Sequence, residues 1–76
     1  MTFREATDEL FAAVEHAKLA RALGVSVAAI RQARLKESAK AYRPPPKDWE
    51  HGVIRLAEER VWHYRQLIEK LRNPHE

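Results

Sequence analysis

Apolar residues return at three- and four-residue intervals along most of this chain, which is the period of an α-helix with one buried face. Phe3, Ala6, Leu10, Ala13 and Val14 follow a Thr2-x-x-Glu5 capping box and predict a first helix ending near Glu15, with Thr7 or Asp8 as later starting caps. Leu19, Ala20 and Leu23 predict a second helix over roughly Ala17 to Leu23. Ala29, Ile30 and Ala33 predict a third, from Val27 to about Lys36. A last helix is expected from near Asp48 to about Arg72, stopped by Asn73-Pro74. The expected fold class is all-α.

The junction between the second and third helices carries its own signals. Gly24 stands where a helix end needs positive φ, and Ser26 stands where the next helix needs a hydroxyl to cap a backbone N–H. Only Val25 separates them, and small Ala20 and Ala29 allow a close crossing. Lys18, Arg21 and Ala22 face outward on the first of the two helices. Ala28, Arg31, Gln32 and Leu35 do so on the second, with Val27 and Arg34 on its flank. Two short helices about a tight turn, apolar inside and basic outside, read as a DNA-binding helix-turn-helix, with a plain αα-hairpin of a bundle as the alternative. The bend at Glu15 and His16 contains no glycine and must be tight. His16 there is either a structural side chain or a phosphate contact.

At Ala20, Gly24 and Ile30 the chain resembles the Cro and phage-repressor (Xre-like) helix-turn-helix regulators, whose pattern has alanine in the first helix, glycine at the turn and a β-branched residue in the second. The likeness covers about twenty residues.

After Lys36 the helical signal fades, and Tyr42-Arg43-Pro44-Pro45-Pro46 imposes an extended path. A binding motif for an SH3-type partner is one reading. A stiff strap from the third helix to the fourth, with Tyr42 on the core and Leu35 beneath it or against a thymine methyl, is the other. Gly24, Arg31, Tyr42, Arg43, Pro44 and Pro46 also resemble the pattern of small anti-CRISPR-associated repressors, homodimeric regulators of their own phage operons. That resemblance implies DNA contacts at Arg31 and Arg43. The long last helix departs from it.

Charge supports a polyanion-binding surface. The net charge is only +3, but from His16 to Lys47 eight basic residues face one acid, Glu37, whereas from Asp48 onward acids slightly outnumber bases. Base edges are assigned to Arg31 and Gln32, with Val27, Ala28 and Arg34 beside them. Phosphates are assigned to Lys18, Arg21, Lys36, Lys40, Arg43 and Ser26.

The last helix has two apolar seams. Trp49, Val53 and Leu56 are expected to pack on the preceding helices. Ile54, Ala57, Val61, Tyr64, Ile68 and Leu71 form a heptad-like stripe that wants another helix, and they are assigned to a homodimer interface. Trp62 and His63 lie between the seams. The expected organisation is a three-helix helix-turn-helix head with its proline strap, residues 1–47, and a long C-terminal dimerisation helix, residues 48–76.

What is missing narrows the function. With 76 residues a single core seldom supplies more than about 3–5 kcal/mol, so help from a second subunit is expected. The absence of cysteine removes disulfides and thiolate metal sites and points to a reducing interior. No stretch has the length of a membrane span and the N-terminus carries no signal-like h-region, so a cytoplasmic, nucleoid-associated protein of bacterial or phage origin is expected. His16, His51, His63 and His75 have no ligand spacing, Glu58-Glu59 reads as a solvated face, and with two glycines there is no phosphate loop. No enzyme, cofactor, metal or small-molecule ligand is expected. The leading expectation is a repressor that binds double-stranded DNA as a homodimer at an inverted repeat. The alternatives are a protein-interaction module of antiactivator or antitoxin type and a DNA-architectural excision factor.

Overall fold

The computed structural model describes residues 1–73, so Pro74 and His75, named above as helix stop and as one of the histidines, lie outside the described residues. Among those residues the chain is all-helical, with α1 (Phe3–Leu10), α2 (His16–Leu23), α3 (Val27–Ala33) and α4 (Trp49–Arg72) and no strand. Helix α2 packs against α3 and α4, and α1 packs against α4. The molecule measures 57 × 20 × 17 Å, because most of α4 extends past the other helices.

Helix α1 starts on the capping box. The Thr2 N–H donates to Glu5 Oε1 at 2.8 Å, and the Glu5 N–H donates to Thr2 Oγ1 at 3.1 Å. The hydrogen bond from the Thr2 backbone stabilises the Glu5 carboxylate and holds its pKa below the usual value. Fully buried Thr7 donates its hydroxyl to the Phe3 carbonyl at 2.8 Å, so its polar atom costs the core little.

Two helix ends fall earlier than their periodicity predicts. Helix α1 stops at Leu10 rather than near Glu15, because the Ala12 and Ala13 N–H groups donate three residues back, to Glu9 and Leu10. This tighter winding turns Ala13 outward and drops Val14 into the core, making the bend without glycine. Helix α3 stops at Ala33 rather than Lys36, where the Gln32 carbonyl accepts both the Leu35 N–H and the Arg43 N–H of the returning chain.

The core joins Phe3, Leu10, Val14, Leu19, Ala20, Ile30, Ala33 and Leu56, with Trp49 and Val53 packed beside it. Trp49 meets the Phe3 ring edge to face at 5.3 Å, which ties the start of α4 to the start of α1. Asp48 stands before α4 without a side-chain cap bond, and the Pro46 and Asp48 carbonyls take the Trp49 and His51 N–H groups. Gly52 lets α4 approach α2 closely, since a Cβ there would lie 2.5 Å from Leu23 Cδ2. Beyond Arg60 every described α4 residue is exposed.

Candidate nucleic-acid interface

The turn between α2 and α3 is closed from both sides. Gly24 adopts φ 69° and ψ 32°, its N–H donates to the Arg21 carbonyl, and the Val25 N–H donates to the Ala20 carbonyl at 2.9 Å. This pair of bonds satisfies the last carbonyls of α2, and it requires a left-handed residue between them. A Cβ on Gly24 would touch nothing, so the demand is on backbone conformation and not on space. Ser26 then caps α3, its Oγ accepting the Ala29 N–H at 3.0 Å.

With Ile30 and Ala33 buried beneath, the outward surface of α3 consists of exposed Ala28 and Arg31, flanked by half-buried Val27 and Gln32. Val27 packs against the core, which leaves less of it for a base edge than the assignment above supposes.

Arg34 is drawn into an ion pair. Its guanidinium pairs with Asp8 on α1, approaches His16 Nε2 at 3.4 Å and lies 5.1 Å over the Phe11 ring, leaving the side chain 26% exposed. It braces the end of α3 against α1 and the α1–α2 bend. His16 belongs to the same cluster, with its ring 3.8 Å from that of Phe11.

The basic residues assigned to phosphate occupy separate patches. Lys18 and Arg21 are exposed but open toward α4, where they share a groove with Arg55, Leu56 and Glu59. Lys36 borders a depression with Arg4, Leu35, Tyr42, Pro45 and Trp49, which places Leu35 beside the proline segment. Lys40 and Arg43 are exposed, and Arg43 Nη1 donates to the carbonyls of Tyr42 at 2.7 Å and Lys40 at 3.3 Å, folding its guanidinium back over its own turn. Arg4 and Arg55 join these patches through tertiary packing alone, so no local sequence signal marks them.

The residues assigned to an interface between copies, Ile54, Ala57, Val61, Tyr64, Ile68 and Leu71, are all exposed, with Leu71 at 72%. Among the described residues no three His, Cys, Asp or Glu side chains come together as a metal site, and no helix is long and apolar enough to cross a membrane. Comparison with protein-family models, curated proteins and solved structures finds no match.

Proposed function

We propose that this protein is a sequence-specific DNA-binding regulator, a repressor that binds an inverted-repeat operator as a homodimer in the cytoplasm. The observation that carries the reading is the α2–α3 pair: a left-handed Gly24 and a Ser26 cap fix two short helices at one tight turn, and Arg31 stands free on the outer face of the second. In this reading α2 and α3 form a helix-turn-helix and residues 34–48 serve as its strap. Helix α3 enters the major groove, where the Arg31 guanidinium bridges O6 and N7 of a guanine and Gln32 pairs with an adjacent adenine. Lys36, Lys40, Arg43 and the Ser26 hydroxyl hold phosphates around it. Repression follows from occupancy of the promoter.

Selection from a random DNA pool tests the reading, and an enriched inverted repeat is the expected result. Arg31→Ala should then lose about 1–3 kcal/mol at the selected site and relax preference at one base pair of each half, whereas Lys40→Ala should weaken selected and random DNA alike and shallow the salt dependence. Equal losses on both DNAs for Arg31→Ala would remove it as a base reader.

The bare half of α4, with Trp62 65% exposed, favours a second reading, a module that grips another protein. Under it, the random pool yields no enriched sequence.

A further inference from the structure

We propose that two copies of α4 pair antiparallel along the bare stripe, each seating its last turns against the first half of its partner's α4 and the adjoining notch beside α1. This rests on the homodimer reading above and adds direction and register to it. Three features of the stripe point the same way.

The first is size. Laid head to tail about a two-fold axis between Trp62 and His63, the stripe pairs with itself throughout: Ile54 meets the partner's Leu71, Ala57 the partner's Ile68, and Val61 the partner's Tyr64. Two of the three levels then join a smaller side chain to a larger one, Ala57 to Ile68 and Val61 to Tyr64, and the third joins the isomeric Ile54 and Leu71. In the parallel arrangement Ala57 meets the partner's Ala57 across a gap, and Tyr64 crowds the partner's Tyr64.

The second is charge on the flanks of the stripe. Head to tail, Glu58 lies across from the partner's Arg65, and the symmetry repeats the pair, while Arg60 lays its stem along the partner's Leu67. In parallel, Arg60 would face the partner's Arg65 twice.

The third is the shape of the receiving surface. Met1, Leu10, Val14, Val53 and Ala57 line a mostly apolar notch between α1 and α4, which Glu9 and Arg60 also border, at the level where the antiparallel register delivers the partner's Leu67 and Ile68. Both of those residues are exposed within one copy, as are Ile54 and Ala57 opposite them.

The arrangement also sets a distance. Gly52, where α2 meets α4, lies about ten residues from the two-fold, so the two heads stand roughly 32 Å apart along the rod at 1.5 Å per residue. One turn of B-form DNA is about 34 Å. The heads attach along the edge of α4 that carries Val53 and Leu56, and the two-fold therefore puts both on the same face of the rod.

The natural absence of cysteine makes the test direct. Ile54→Cys and Leu71→Cys, both at positions more than half exposed, are prepared separately and mixed in a glutathione redox buffer. Only side chains within disulfide reach, Cα atoms less than about 7 Å apart, will bond. The expected product is the mixed disulfide between the two variants, with neither variant bonding to itself. Self-bonded products show a parallel dimer and overturn the proposal while leaving the homodimer intact. So does a dimer by sedimentation that forms no disulfide, since its register differs. A wild-type chain that sediments as a monomer at tens of micromolar overturns the homodimer reading itself. Arg65→Glu supplies an independent sign: it should weaken an antiparallel dimer about fivefold by facing Glu58, with Glu58→Arg restoring it, and would tighten a parallel one by facing Arg60.

Discussion

The two halves of α4 have the same helical period and opposite fates. From Trp49 to Leu56 the helix is part of the core, with Leu56 only 6% exposed and Trp49 braced on Phe3. From Val61 onward it carries comparable apolar residues into solvent. Periodicity states that a face is apolar, whereas the number of neighbouring elements decides whether that face is covered. Three short helices have enough surface for about two turns of α4, and the remainder must be covered by association or left in water.

A charge placed in each half tests this division most severely. Ile68→Asp should leave the helical signal and thermal melt of the monomer unchanged while weakening self-association by several kcal/mol, about 3–5, through an unpaired buried charge. Sedimentation and circular dichroism on the same samples separate the two effects. In the first half, Leu56→Ala should lower stability by about 2–5 kcal/mol at every protein concentration, as measured by denaturant titration. If Leu56→Ala proved harmless, or if Ile68→Asp unfolded the dilute chain, the boundary between the halves would be misplaced.

The part of the fold that could be read from the sequence is the part controlled by single residues. Gly24 and Ser26 act within their own turn, so their conformations follow from residue type, and the start of α4 follows from the prolines before it. The α1–α2 bend was not legible in this way, because it is made by a tightening of the backbone between Glu9 and Val14 that no glycine or proline marks. The candidate site divides similarly. The outward placement of Arg31 follows from helix geometry, whereas Arg34 is claimed by Asp8, a residue 26 positions away. The orientation of Lys18 and Arg21 toward α4 depended on where a distant helix would lie.

Smaller effects sharpen the contrast from the head side. Gly24→Ala should cost roughly 1–2 kcal/mol, because an alanine there must hold a positive φ, and the loss should appear in the melting temperature of dilute protein. An unchanged melt would mean the turn relaxes at no cost. The smallest effect belongs to Glu5. Its folded-state pKa is lowered by the Thr2 backbone bond, so its contribution is present above the ordinary glutamate range and is lost as pH falls through the lowered value. A melt series in acid should show this decline in wild type and a shallower one in Glu5→Gln, which keeps an acceptor for the Thr2 N–H but does not titrate.

Gly52 gives the molecule a mechanical property. Its missing side chain lets Leu23 seat against the backbone of α4 in the middle of the stretch from Trp49 to Leu56, so that stretch is a clamp, and the helix beyond Arg60, about twelve residues or roughly 18 Å, is a lever fixed at one end. A tilt of about 10° at the clamp becomes a swing of about 3 Å at the tip. A load at the tip is therefore borne by the contacts of α4 with α1 and α2.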